Sequence, residues 1–239
     1  RITWVLWMLT PVSPATVVWL RFGMGVAVLS VAVARRREWG RVAPGELAFF
    51  AALGFQGITL HQWLQSTGLV TSQATTTAWI VSSIPAFIAL FGRAALGERI
   101  GAARTAGIAV AAGGVLVVMS RGDLAGLVRG GIGAPGDVLI LLSAPNWAIF
   151  SVASRRGLAR HPSGRMMLYV MASGWLFATA WLLAGPGLGE VAQLTTRGWI
   201  GVAFLGVVCS GLAYVFWYDA LQVLPATRTS TTLKISGHA

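Results

Sequence analysis

Polar side chains set inside long apolar stretches are the residues of this sequence with the most chemistry to offer. Gln56, Thr59 and Trp63 follow helical spacing on one face, and Gly54, Gly57, His61, Gln65 and Gly68 follow it on the adjacent one. Amides, hydroxyls and an imidazole on such a face can hydrogen-bond a small ligand, and the glycines let a ligand or another helix come close. Trp79, Ser82, Ser83 and Pro85 in the next apolar stretch, and Asn146 and Trp147 in a later one, add donors and aromatic walls. The candidate lining of a central cavity is therefore Gln56, His61, Trp79, Ser83, Asn146 and Trp147, joined by Ser210 and Tyr214. Amide and aromatic walls suit an amphipathic or cationic small molecule, with ring faces against apolar or ammonium groups.

Each of these residues also has a plainer role. Intramembrane Gln, Ser and Thr often do no more than bond one helix to another. A lone histidine such as His61 is more often a packing residue than a proton carrier, although it titrates near neutrality. Trp39, Trp199 and Trp217 fit membrane interfaces, whereas Trp147 falls near mid-helix. Arg21 lies close to the centre of an apolar stretch. It could hold a substrate carboxylate, but a structural role against backbone carbonyls or helix-end groups is the favoured expectation. Pro85 and Pro145 either kink their helices to open a cavity or mark ordinary bends.

No catalytic residue, metal site or cofactor is assigned. Cys209 is the single cysteine, which excludes an internal disulfide and a cysteine metal cluster. All seven acids, Glu38, Glu46, Glu98, Asp123, Asp137, Glu190 and Asp219, fall in links or at the ends of apolar stretches. The commonest intramembrane proton or sodium relay, a mid-span carboxylate, is thus missing from the sequence.

The elements that must position these groups follow from composition. Of 239 residues, 56% are hydrophobic and 10% charged, against about 25% charged in soluble domains. That balance rules out an ordinary soluble domain. Spans of about 20 apolar residues are expected at Pro14 to Ala34, Leu47 to Val70, Ala74 to Leu96, Gly101 to Ser120, Gly136 to Ala153, Met166 to Gly185 and Trp199 to Leu221. Shorter apolar pieces, Ile2 to Leu9 and Thr227 to Ala239, read as partial first and last helices. Links on one side hold Arg35, Arg36, Arg37, Arg41, Arg93, Arg99, Arg104, Arg155, Arg156, Arg160 and Arg165; those on the other hold Arg121, Arg129 and Arg197. Basic links resist translocation, so the first set is expected in the cytoplasm. Most of the +11 net charge is then an orientation signal, and nucleic acid is not an expected partner.

The sequence also repeats. A shift of 152 residues matches eight of the 27 positions from Ala51 to Thr77, among them Leu53 with Leu205, Gly54 with Gly206 and Leu60 with Leu212. Five spans per copy is an odd number, so the second copy must enter the membrane upside down, a construction common in secondary transporters. The expected organisation is a first repeat over residues 1–120, a link over 121–135 and a second repeat over 136–239. Completed by symmetry, the fold is an all-α polytopic bundle of ten helices and about 300 residues, with this chain cut inside its first and last helices.

At this level the residues resemble a known family. Gly68-Leu-Val-Thr-Ser-Gln-Ala, the helix with Pro85, Leu96-Gly-Glu-Arg99 and Ala106-Gly-Ile-Ala-Val-Ala-Ala-Gly-Gly-Val115 are similar to the first EamA domain of the drug/metabolite transporter superfamily. Arg21-Phe22 fits its Leu-Arg-Phe pattern, and Asn146-Trp-Ala-Ile-Phe and Gly211-Leu-Ala-Tyr-Val-Phe-Trp-Tyr-Asp-Ala-Leu221 resemble its second copy. The resemblance implies a multi-pass carrier in the bacterial inner membrane that exports amino acids or other small metabolites by alternating access. It departs at Thr231 to Ala239, which lacks the proline and the later Gly-Glu expected in the second copy. Small residues on two faces, Gly107 with Ala111 and Ala106 with Gly114, fit close helix packing and a homodimer contact. Two other classes stand beside the carrier. An intramembrane serine protease would need Ser210 within hydrogen-bond reach of His61; a non-transporting sensor or scaffold would need a packed, dry interior.

Overall fold

The computed structural model describes residues 12–96, 101–120, 134–185 and 187–223. The partial spans expected at Ile2 to Leu9 and Thr227 to Ala239, and nearly all of the link over 121–135, lie outside the described residues. Among the described residues there are helices and no strands.

Helix boundaries follow local chemistry. α1 (Pro14–Arg35) starts at Ser13, whose hydroxyl accepts from the Thr16 N–H, with Pro14 at a first-turn position where its missing N–H costs nothing. It ends in a Schellman pair, Glu38 N–H to the Val33 carbonyl and Arg37 N–H to the Ala34 carbonyl. Arg37, at φ 55°, takes the left-handed position that glycine usually fills. α2 (Pro44–Gly54) and α3 (His61–Thr71) form one rod through a π-helical segment, Phe55–Leu60. The span expected from Ala74 to Leu96 is divided into α4 (Ala74–Val81) and α5 (Ile84–Leu96). Pro85 explains the division: its ring clashes with the carbonyl four residues back, which is that of Val81. Pro145 acts differently and lies inside an unbroken α7 (Pro135–Leu158), which follows α6 (Ala102–Met119). α8 (Ser163–Ala184) leads to α9 (Thr196–Ala203), a second π segment (Phe204–Leu212) and α10 (Ala213–Val223).

Five of these helical stretches are long and apolar enough to cross a membrane: Pro14–Arg35, Ala74–Ala95, Pro135–Leu158, Ser163–Ala184 and Thr196–Trp217. α6 carries a shorter apolar stretch, Thr105–Val118. The rod from Pro44 to Thr71 is long but carries Gln56, His61, Gln62 and Gln65, which dilute its apolar character.

The described residues divide into two compact units, one within 12–62 and 154–223 and the other within 63–153. Each unit thus draws helices from both sequence halves. In the first, α1 and α8 form a buried heart of Phe22, Leu29, Met166, Met167 and Met171. The 152-residue shift carries Pro44 onto Thr196, Leu60 onto Leu212 and Thr71 onto Val223, so the rod Pro44 to Thr71 and the rod Thr196 to Val223 share their start, the end of their π segment and their finish.

Their contacts correspond as well. A Cβ on Gly54 would strike the Val170 carbonyl and the Ser173 side chain of α8; on Gly206 it would strike the Arg21 carbonyl and the Met24 side chain of α1. Gly174 is pressed against Ile58, and Gly25 against Ser210. Gly25 and Gly174 occupy the same position, the twelfth, in helices of 22 residues each.

Polar ties close both ends of this unit. Arg36 makes two 2.9 Å bonds to Asp219, which also accepts from the Ser163 hydroxyl at 2.6 Å. Arg165 donates to the Glu38 carbonyl at 2.6 Å, and the Glu46 carboxylate lies 3.0 Å from His161. At the other end, Glu190 accepts from the Ser13 N–H at 2.7 Å and the Thr16 hydroxyl at 2.6 Å. In the second unit, the buried Asp137 accepts from the Ser72 hydroxyl and from the Ala134 N–H. Every one of these ties joins helix ends that the arginine distribution assigns to the same side.

Candidate functional site

The first unit gathers Arg21, Ser210 and Tyr214 around α1. Arg21 Nε donates to Ser210 Oγ at 2.9 Å, Nη1 reaches Gln62 Oε1 at 3.4 Å, and the guanidinium carbon lies 5.0 Å from the centre of the Phe22 ring. Phe22 in turn meets the Tyr214 ring edge-on at 6.2 Å. The expected partners of Arg21, backbone carbonyls or helix-end groups, are replaced by two neutral side chains from other helices. Ser210 itself is fully buried on the second π segment, where Gly25 comes close enough to touch its backbone. π segments are rare and occur frequently at functional sites.

Gln56 and His61 lie on the matching rod. His61 is buried and Gln56 half-buried. Gln62, not foreseen from spacing, is the residue on this rod that reaches Arg21. The first π segment hides it: a π turn inserts a residue and shifts the helical phase by about 100°. Unbroken spacing groups Trp63 with Thr59, yet Trp63 is 40% exposed while Thr59 donates to the Gly174 carbonyl at 2.9 Å.

Trp79 and Ser83 belong to the second unit. With Ser82 they face Val110, Ala111, Gly114 and Val118 of α6 across a cavity of about 490 Å³. The Ser83 hydroxyl is bonded to the Ile80 carbonyl at 2.6 Å, and Ser82 is tied likewise to Ala78. Trp79 is the prominent wall, 65% exposed. Asn146 and Trp147 are half-buried on α7. Trp147 packs on Phe150 at 5.1 Å and joins Ile84, Phe87 and Phe91 around Ile88 and Ala148. Among the described residues, no group of three or more His, Cys, Asp or Glu is placed to hold a metal ion.

Arg21 carries a full charge held by neutral hydrogen bonds inside a span. Trp79 and Trp147 offer flat apolar surfaces in the other unit. Chemically, the first can orient an anion and the second can pack an apolar or cationic group.

Comparisons with known proteins agree with this character. The sequence model of the EamA-like transporter family matches residues 2–120 and 134–236. An uncharacterised transporter of Archaeoglobus fulgidus is 25% identical over 222 residues, 93% of this chain and 75% of the relative. A probable terminal-alkyne amino-acid exporter of Streptantibioticus cattleyicolor is 26% identical over 191 residues, covering 79% of this chain and 61% of that protein. The aromatic amino acid exporter YddG of Ancylobacter novellus is 30% identical over 138 residues, 56% of this chain and 44% of its own length. A solved crystal structure superposes with a TM-score of 0.63 at 26% identity, covering 93% of this chain and 79% of the other.

Proposed function

Because the chain belongs to the EamA-like transporter family and is a multi-pass membrane protein, we propose that it is a secondary transporter that exports small metabolites from the cell by alternating access. Its substrates are amino acids or amphipathic and cationic compounds of similar size. Two relatives are named as exporters of amino acids, which favours the first of these classes. Membership in a transporter family also favours a carrier over an enzyme. The described partner of Ser210 Oγ is a cation that donates to it, whereas a serine nucleophile needs a base to take its proton.

The observation that carries the reading is the pairing of contacts in the first unit. Gly54 against Val170 and Ser173 answers Gly206 against Arg21 and Met24, with each rod seated on the helix that precedes the other. Such crossed packing is what two inverted repeats of a ten-helix carrier require, and rocking of matched repeats about a central site is how such carriers alternate access. The repeats are residues 1–120 and 136–239, joined by the link 121–135. The proposed substrate contacts are Gln56, His61, Ser210 and Tyr214 in the first unit, with Arg21 as their charged member, and Trp79, Ser83, Asn146 and Trp147 in the second. The exposed small-residue face of α6 at Ala106 and Gly107 supports a homodimer contact.

The test is uptake and release of a labelled panel of amino acids and organic cations by proteoliposomes of the full-length protein, run at pH 6 and pH 8. Saturable transport of at least one class is expected, with kinetics altered by Trp147→Ala and by Gln56→Ala. Unchanged kinetics in both variants, for every substrate transported, would show the proposed lining to be wrong.

A further inference from the structure

The polar group around Arg21 occupies one of two equivalent places in the first unit, and the other place is apolar. In the correspondence between the two rods Ser210 answers to Ile58; between α1 and α8, Arg21 answers to Val170, eighth in each helix. Val170 and Ile58 are fully buried; the Val170 carbonyl meets Gly54 and the Ile58 side chain meets Gly174. One copy of the helix crossing therefore holds two buried aliphatic residues where the other holds Arg21 and Ser210, and the crossing itself does not call for a charge. A guanidinium inside a span is costly and persists where it serves a pathway or a ligand. Here it meets Ser210 and Gln62, both neutral, and among the described residues no carboxylate lies within 4.0 Å of it. Ser210 and Gln62 are buried, yet Arg21 remains partly exposed. The two bonds fix the plane of the guanidinium through Nε and Nη1. A planar fork held at a fixed angle is suited to two parallel bonds with a carboxylate.

We propose that Arg21, oriented by Ser210 and Gln62, is the group that recognises the carboxylate of a small acid-bearing substrate, such as the α-carboxylate of an amino acid. The assignment rests on the transporter reading and narrows it: a purely cationic amine, lacking a carboxylate, is the weaker ligand of this site. The apolar counterpart at Val170 and Ile58 makes the recognition one-sided, so the substrate is held by its acid group in a single orientation.

The test is binding to the full-length protein in nanodiscs, with L-phenylalanine, L-leucine and acetate each compared with its carboxamide. At least one acid is expected to bind about 10- to 100-fold more tightly than its amide, the range for hydrogen bonds to a charged group. Arg21→Lys should keep part of that preference. The double variant Arg21→Val with Ser210→Ile copies the apolar counterpart; it should fold with an unchanged thermal midpoint and bind acid and amide alike. The proposal is overturned if no acid binds the wild-type protein in preference to its amide, if the double variant keeps the preference, or if it does not fold, since the cluster would then be structural. Arg21-dependent binding without transport in proteoliposomes would sink the transporter reading and leave this site standing.

Discussion

The carboxyl of Glu190 sits in the link between α8 and α9, outside the spans, and is gripped from α1. Burial pushes its pKa up, but hydrogen bonds from the Thr16 hydroxyl, the Ser13 N–H and the Ser13 hydroxyl outweigh it, and the net value lies below the ordinary carboxylate range. A carboxylate with a depressed folded pKa contributes stability that is present above its unfolded pKa and is lost as pH falls through the folded value. Thermal stability should therefore drop between about pH 5 and pH 3, and Glu190→Gln should flatten that part of the profile by lowering the thermal midpoint at neutral pH while leaving the acid end little changed. A profile that Glu190→Gln does not alter would remove the clasp from the account. At this scale the sequence was only partly legible. Arg21 stood out as a charge in an apolar stretch, and Ser210 and Tyr214 as polar groups in a later one, but spacing did not give the bonds that join Arg21 to Ser210 and Gln62. Side-chain pairing across helices 41 residues apart depends on packing that periodicity does not encode. Ser83 shows the converse: its hydroxyl is occupied by its own helix.

The helices themselves were largely readable, because apolar length, caps and prolines act locally. The expected start at Pro14 rests on a first-turn N–H that the helix does not need, whereas the division near Pro85, left open between a kink and an ordinary bend, follows from the clash of its ring with the Val81 carbonyl. The two π segments were not readable, since they arise where one rod must adapt to its neighbour. Their matched ends at Leu60 and Leu212 place the same adaptation in both rods. Glycine placement gives this scale its prediction. Gly174 is pressed so closely by Ile58 and the Gly54 carbonyl that Gly174→Val should destabilise the protein by about 1–3 kcal/mol or more through overpacking. Gly113 on α6 has nothing within 4 Å of an added Cβ, so Gly113→Ala should be neutral or stabilising by up to about 1 kcal/mol. Thermal midpoints in one detergent would check the pair; equal effects at both positions would contradict the packing described here.

For the whole molecule, the arginine distribution and the polar ties make the same statement about sidedness. Arg36 with Asp219, Arg165 with Glu38 and Glu46 with His161 gather at one end, and Glu190 with Ser13 at the other. In a Cys209→Ser background, single cysteines at Trp39 and Arg160 should react with a membrane-impermeant maleimide only from the cytoplasmic side, and one at Leu188 only from outside. Labelling of all three from one side would contradict the topology. The apolar spans could be read from composition because a bilayer imposes a length rule on each segment separately, and the arginine distribution supplies the expected orientation. The division into two compact units could not, because it cuts across the sequence repeat and reflects which helices choose which neighbours. The central claim, that this member of the EamA-like family is an alternating-access carrier, is tested most directly by counterflow. Proteoliposomes of the full-length protein are loaded with unlabelled substrate, and entry of the same labelled substrate is followed. The account predicts that internal substrate accelerates labelled entry and drives a transient accumulation above equilibrium; entry that is indifferent to internal substrate would contradict it.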